Sequence, residues 1–413
     1  VRWVKNCSGN SAIYFLVIVT IGGGVSISIF DYINVDEVIR FAQALVQIPS
    51  ESGNERQVAE LIAREMRKLG YDEVYVDSIN NVIGRIKGFG NGPSLLLVGH
   101  IDHAEAGTMI KPFSGELMDG SIFGIVGEVI YGRGAVDMKG AMACMVYAAA
   151  AVKKAGIKLK GDVIVAGNSL EEVSAAEGVL YMLDNDKITA DMAICGEATN
   201  LNVCLGHRGN AEVKLTVKGR MCHASNPSRG INAVIKACEF INFYLENYKL
   251  PKHELLGDCT TTVLDIRAVT ERKAPIVPDL CHVYFDRRFL PGETREKIIA
   301  EYKEIIKQAQ KVIADFDADV EITKWGLALY TPVEEKVVQS LQKARSKVMG
   351  EEGKLSAWIF GTDGAFIADK GIPTVGFGPG DEAFAHTPEE HIPVKHLELA
   401  TKVYAQAILD ICG

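Results

Sequence analysis

The chain has 413 residues, more than one ordinary domain holds, and this points to two. A net charge of -9 excludes the basic footprint of a nucleic-acid binder, and 48% hydrophobic with 23% charged residues is a globular balance, not a disordered or fibrous one. Nine cysteines with no paired spacing read as reduced thiols of a cytoplasmic protein, most of them small buried hydrophobes.

Residues 1–30 differ in character from the rest of the chain. Arg2 and Lys5 precede an uncharged run from Asn6 to Phe30, densest in apolar residues over 12–21. A membrane anchor and a signal peptide both fit that pattern. Gly22-Gly23-Gly24 interrupts it and the chain opens on Val1, so a non-native extension is a third reading. No later run reads as long and apolar enough to span a bilayer, and the functional body is expected from about Asp31.

Over 35–48 apolar residues recur at helical spacing, and Pro49 stops the helix. Residues 54–69 form a second amphipathic pattern, with Asn54 as candidate N-cap and Gly70 as the stop. Strands are expected over 71–76 and 81–87. Leu95-Leu96-Leu97-Val98 is an unbroken apolar run, the mark of a buried strand, and it ends in Gly99-His100-Ile101-Asp102. In extended chain His100 and Asp102 point the same way, so one can hold a metal while the other contacts that ligand from behind. Residues 104–128 read as a long functional loop. Asp137, in Gly132-Arg133-Gly134-Ala135-Val136-Asp137-Met138-Lys139-Gly140, precedes a helix of small apolar residues that ends near Lys154; as an isolated residue it reads equally well as that helix's N-cap. A strand over 161–170 ends in Glu171-Glu172, and a shorter one over 191–195 ends in Gly196-Glu197.

Leu205-Gly206-His207-Arg208-Gly209 marks a change of pattern. Strand 212–217, helix 231–248, strands 260–268 and 280–289, helix 293–313 and strand 319–324 come next, a ferredoxin-like β-α-β-β-α-β order. The chain is therefore expected to divide into an extension (1–30), a first catalytic part (31–208), an inserted domain (209–325) and a second catalytic part (326–413). The inserted domain carries a polar loop, Cys222-His223-Ala224-Ser225-Asn226-Pro227, in which His223 alone would read as an ordinary surface histidine. After Trp325 come helix 333–348, a strand and glycine turn over 358–364, strand 373–377, the run Ala385-His386-Thr387-Pro388-Glu389-Glu390 and a final helix over 394–411.

His100, Asp102, Asp137, Glu171, Glu172, Glu197 and His386 all follow buried strands or glycine turns. Carboxylates gathered in one pocket raise one another's pKa and need cations. Imidazoles with carboxylates suit zinc, with cobalt or manganese as alternatives. A bridging aspartate with one His and one Glu per ion makes a two-metal site of the kind that activates water against amides and esters. One carboxylate must remain unligated to move the proton. Since Glu171 and Glu172 are adjacent, one can face a metal and the other the water.

Five motifs in this order resemble the zinc-dependent aminoacylase, acetylornithine deacetylase, succinyl-diaminopimelate desuccinylase and carboxypeptidase G family. They are Gly99-His100-Ile101-Asp102, Gly132-Arg133-Gly134 through Gly140, Glu171-Glu172, Gly196-Glu197-Ala198-Thr199, and Gly378-Pro379-Gly380 through His386. The resemblance covers nearly the whole chain after residue 31. It implies an α/β, dinuclear zinc aminopeptidase-like catalytic domain with an inserted ferredoxin-like α+β lid domain. It further implies that His100, Asp137 and Glu197 hold one metal and Asp137, Glu172 and His386 the other. Glu171 would be the general base and Asp102 would orient His100. His223 would stabilise the oxyanion, often from a dimer partner, Arg288 would bind a substrate carboxylate, and Thr362 would line the pocket. Gly196-Glu197-Ala198-Thr199 departs from the family's frequent Gly-Glu-Pro-Thr. Ala274-Pro275-Ile276-Val277-Pro278 lacks the desuccinylase-type asparagine. Both departures are similar to a branch labelled selenium-metabolism-linked hydrolases. The expected function is amide hydrolysis of N-acyl amino acids or small peptides by a homodimer joined through the lid. Dipeptidase, N-carbamoyl amide hydrolase and non-catalytic metal-binding protein stand as alternatives.

Overall fold

The structure, a computed structural model, describes residues 28–173, 176–269 and 274–413. The reading of residues 1–30 as anchor, signal or extension falls, up to Ile27, outside them. At Ser28 the side-chain Oγ accepts from the Phe30 amide while the Asp31 carboxylate accepts from the Ser28 amide. The chain forms two compact units. One holds the residues up to Leu205 with Thr331–Ser356 and Thr362–Gly413; the other holds Gly206–Tyr330 with Ala357–Gly361.

The first unit is built on a mixed sheet. Its strands run in the order Glu73–Val76, Val82–Ile86, Val163–Asn168, Leu95–His100, Met192–Cys195, Thr374–Gly376, then the start of Val203–His207. Val163–Asn168, Leu95–His100, Met192–Cys195 and Thr374–Gly376 are mutually parallel, and every residue of all four is buried. Burial on both faces explains why these strands read as continuous apolar runs. In register, His100 faces Asn168, Val98 faces Cys195 and Gly376 faces Cys195. Their carboxyl ends therefore share one edge, where ligands bind in such sheets.

Two helices close one face. Gly140–Lys154 is buried almost all round, and its run of alanines lets the C-terminal helix Val394–Cys412 pack against it. The sequence pattern showed no membrane-length apolar segment after residue 30. In fact the helical stretch Ala135–Lys154 is long and apolar enough by length and composition, and it lies almost wholly inside the protein. Gly378 allows a close approach that any side chain would block: a Cβ there would sit 2.2 Å from the Gly196 carbonyl oxygen and 2.3 Å from that of Glu197.

Three local expectations are corrected. Asn54 is not the cap of its helix: Arg56–Lys68 follows Glu55, with no side-chain cap. Asp137 does not cap a helix either, since Gly140–Lys154 starts after Lys139, and Asp137 has non-helical φ/ψ with a cis bond to Met138. Residues 104–128 are not structureless. Glu116–Asp119 pairs antiparallel with Glu128–Tyr131, which also pairs with His391–Pro393. Glu116–Asp119 is mostly exposed, so it shows no apolar alternation to read.

The second unit contains an antiparallel sheet in the order Thr260–Ala268, Leu280–Phe289, Gly209–Lys218, Asp317–Gly326. Burial alternates strictly along the two central strands: odd positions of Gly209–Lys218 face the core, as do alternate residues of Leu280–Phe289. Helices Ala233–Asn247 and Arg295–Ala309 cover that face, with Val213, Leu215, Phe240, Tyr244, Phe285 and Tyr302 in the core. Among the described cysteines, Cys144, Cys195, Cys204, Cys259, Cys281 and Cys412 are buried, and none is in a disulfide.

Candidate metal centre

Two groups of possible metal ligands gather at the carboxyl edge of the parallel strands. His100, Asp137 and Glu197 form one, and Asp137, Glu172 and His386 the other, each with ligand atoms within 4.8 Å of one another. His100 Nε2 lies 2.8 Å from Asp137 Oδ1 and 3.4 Å from Glu197 Oε1. His386 Nε2 lies 3.1 Å from Asp137 Oδ2 and 3.0 Å from Glu172 Oε2. Asp137 thus offers one carboxylate oxygen to each group. Ligands about 2.1 Å from a tetrahedral ion stand roughly 3.4 Å apart, so these spacings suit first-row divalent cations.

The surrounding backbone holds these groups in place. His100 Nδ1 faces the Asp102 carbonyl at 3.1 Å, which favours a proton on Nδ1 and leaves the Nε2 lone pair for a metal. The Asp102 carboxylate is 3.5 Å from that ring, and its closer bonds go elsewhere. It accepts from Ser52 Oγ at 2.7 Å and from the amides of Glu172 at 3.0 Å and Glu171 at 3.2 Å. Asp102 therefore sets the turn that carries both glutamates. The Ala104 amide donates to Glu172 Oε1 at 2.9 Å. Leu170, just before Glu171, has φ +60°, and His386 has φ +61°. Non-glycine residues seldom adopt this left-handed conformation, and when they do it is often at functional sites.

The electrostatics call for a cation. Burial pushes Glu197 up to about 8, with Asp137, Glu172 and Asp363 adding to the effect and His100 opposing it. Burial, then Asp363, Glu197 and Asp137, raise Glu171 well above the usual carboxylate range. Burial disfavours a charge on His100, yet Glu197, Asp102 and Asp137 outweigh it and raise its pKa well above the usual value. Hydrogen bonds to Asp137 and Glu172 lift His386 to about 10. Burial opposes ionisation of Asp137, but bonds to His100 and His386 hold it low. Protons on carboxylates and imidazoles thus offset a negative cluster that divalent ions would offset directly. The mixed imidazole and carboxylate donors fit a dinuclear metal site.

Some neighbours carried no sequence signal. Asp363, within the glycine turn over 358–364, is 6% exposed and accepts a hydrogen bond from Asn168 Nδ2. Glu390 is fully buried, with Arg133 Nη1 on Oε2 and the amides of Val136 and Asp137 on Oε1. Only its place four residues after His386, as half of a second Glu-Glu pair, hints at it in the sequence.

The structure brings His100, Asp102, Asp137, Glu171, Glu172, Glu197 and His386 together within the first unit, where Thr362 is also buried. His223 and Arg288 belong to the second unit. His223 is exposed and pairs in register with Ile276; its Nδ1 accepts from the Ser225 amide and hydroxyl at 3.1 and 2.7 Å. A neutral ring so held carries its proton on Nε2, free to donate. Arg288 is partly exposed, with Nε 2.8 Å from Asp286 Oδ1.

Residues 96–410 match the profile of Peptidase family M20/M25/M40. The chain is 33% identical over 388 residues to the uncharacterized protein YgeY of Escherichia coli strain K12, across 89% of this chain and 93% of that one. It is 26% identical over 392 residues to the succinyl-diaminopimelate desuccinylase of Hydrogenovibrio crunogenus, across 91% and 99%. The crystal structure of aminopeptidase PepT from Bacillus cereus superposes with a TM-score of 0.73 at 23% identity, covering 92% of this chain and all of that one.

Proposed function

Because the chain belongs to peptidase family M20/M25/M40, a family of metallohydrolases acting on carbon–nitrogen bonds, we propose that it cleaves the amide bond of N-acyl amino acids or small peptides beside a free carboxylate. One observation carries this reading. Two groups of metal ligands share Asp137, and Glu171 stands beside them on the turn that Asp102 holds, belonging to neither.

His100, Asp137 and Glu197 would hold one divalent ion, and Asp137, Glu172 and His386 the other. Zinc suits these donors best, with cobalt or manganese as alternatives, and the ions would supply Lewis acidity and a lowered water pKa. Glu171 takes a proton from the attacking water and passes it to the leaving amine. Burial raises Glu171 above the usual carboxylate range, in the direction that favours taking up a proton. His223, with its Nε2 proton, donates to the developing oxyanion. Arg288 binds the substrate carboxylate through its guanidinium fork, and Thr362 lines the substrate pocket. We read the second unit as a ferredoxin-like lid through which two copies of the chain pair, and we place the protein in the cytoplasm on its odd number of cysteines without paired spacing. The departures at Ala198 and at 274–278 favour the selenium-metabolism-linked branch over a true desuccinylase.

The test is amine release from a panel of N-acetyl, N-succinyl and N-carbamoyl amino acids and of di- and tripeptides. Chelated protein is run beside protein restored with zinc or cobalt. Metal-dependent release from N-acyl amino acids or peptides supports the reading. Release confined to N-carbamoyl compounds replaces it with the carbamoyl alternative. No release by protein carrying two metals leaves the non-catalytic metal-binding role.

A further inference from the structure

Two of the three segments that carry ligands for the second group, the Asp137 turn and the His386 loop, are tied by a residue outside both groups. Glu390 lies four residues beyond His386 and is fully buried. Its Oε2 accepts from Arg133 Nη1, and Arg133 is itself 3% exposed. Its Oε1 accepts from the Val136 amide at 3.1 Å and the Asp137 amide at 3.3 Å. The backbone repeats the link: the Gly132 amide donates to the Glu390 carbonyl at 3.1 Å, and His391 pairs in register with Tyr131. A carboxylate removed entirely from water, with its charge met by one arginine and its lone pairs by two amides, has one well-defined position. The backbone atom it holds belongs to the residue that both metal groups share.

We infer that Glu390, locked by Arg133, is a positioning residue that presents Asp137 to both metals and joins the His386 loop to the Asp137 turn, so that the two metals are gained and lost together. This rests on the two-metal reading above. It adds a specific pattern to it. Loss of an ordinary ligand such as His386 weakens one equivalent of metal, whereas loss of Glu390 weakens both, although Glu390 belongs to neither ligand group. Groups that orient metal ligands typically cost 10–100-fold in metal affinity when removed, roughly the size expected here for each equivalent.

The experiment is a competition titration of zinc against a chromophoric chelator, together with the visible absorption of the cobalt-loaded protein. It compares wild type with Glu390→Gln, Glu390→Ala, Arg133→Lys and His386→Ala. The glutamine side chain of the first variant would keep an oxygen for the two amides but face Arg133 with a donor, so it tests the lock with little change in volume. Both zinc equivalents are expected to weaken about 10-fold or more in the Glu390 variants. Arg133→Lys should show a smaller loss of the same two-equivalent pattern, and His386→Ala the loss of one equivalent only. Folded Glu390 variants that bind both equivalents as tightly as wild type would overturn the inference. So would weakening of a single equivalent. Should Glu390→Ala fail to fold, Glu390→Gln and Arg133→Lys decide by the same two patterns. Wild-type protein that binds fewer than two equivalents overturns the dinuclear reading itself, which is a different result from an unchanged variant.

Discussion

Both units bury charge, and they do so in opposite ways. In the second unit Arg287 is fully buried in the sheet, and its Nη2 lies 3.0 Å from Glu293 Oε1, which is itself 5% exposed on its side chain. The two charges cancel, and Glu293 also accepts from the Leu290 amide at 2.6 Å. In the first unit Asp102, Glu171, Glu197, Asp363, Asp137 and Glu172 converge; among the described residues His100 and His386 face the ligand groups and the buried Lys139 acts on Asp102. Arg133 and Glu390 neutralise each other alongside. A neutral buried pair needs nothing further, but an acidic cluster with two imidazoles is balanced only by protons or by cations. The second unit's buried charges therefore serve the fold, while the first unit's serve a ligand.

That contrast can be broken at either end. The largest effect is expected from Glu171→Ala, which should lower turnover on the order of 10²–10⁴-fold while metal content stays at two equivalents. Loss of metal in this variant would make Glu171 a ligand and not the base. Arg287→Met should destabilise the second unit by about 3–5 kcal/mol, because Glu293 is left buried and unpaired, with no change in zinc affinity. Chemical denaturation followed beside metal titration separates the two readouts.

The acidic cluster of the first unit should make its stability fall as pH rises. Glu197 is raised to about 8, by burial first and then by Asp137, Glu172 and Asp363; Asp363 is raised to about 7, by burial first and then by Asp102. A carboxyl group raised in the folded chain contributes stability that is complete below its ordinary pKa and is lost as pH rises through the raised one. The raised histidine His386, at about 10, acts in the same sense above its ordinary value. Metal-free protein should therefore melt several degrees lower near pH 8.5 than near pH 5.5, and zinc should reduce that difference by replacing the protons. A metal-free melting temperature that rises over this range would refute the account of the acidic cluster. The smallest effect belongs to the surface: Glu60→Ala removes an i,i+4 pair with Arg56, 3.0 Å long and well exposed, and should cost about 0.3–0.5 kcal/mol.

The candidate site was readable where chemistry and local pattern coincide. Leu95–His100 announced itself as a fully buried strand ending in a histidine, and the same logic found Glu171-Glu172 after Val163–Asn168 and Glu197 after Met192–Cys195. The periodicity of the second unit was equally plain, since a sheet with one buried face alternates at every residue. The reading failed where a residue's meaning depends on a distant partner. Glu116–Asp119 became a strand through Glu128–Tyr131, and Asn54 yielded the helix start to Glu55.

What the amino-acid order by itself determined is the set of chemically able side chains and the buried strands that deliver them, because hydrophobic period and residue type are local properties. What only the tertiary structure decided is which carboxylate faces which group. Asp137 became the shared residue by lying between His100 Nε2 and His386 Nε2. Glu390 became its support across 253 positions of chain. A carboxylate's role is set by the donors within about 3 Å of it, and those donors come from whatever segments the fold packs together, not from sequence neighbours.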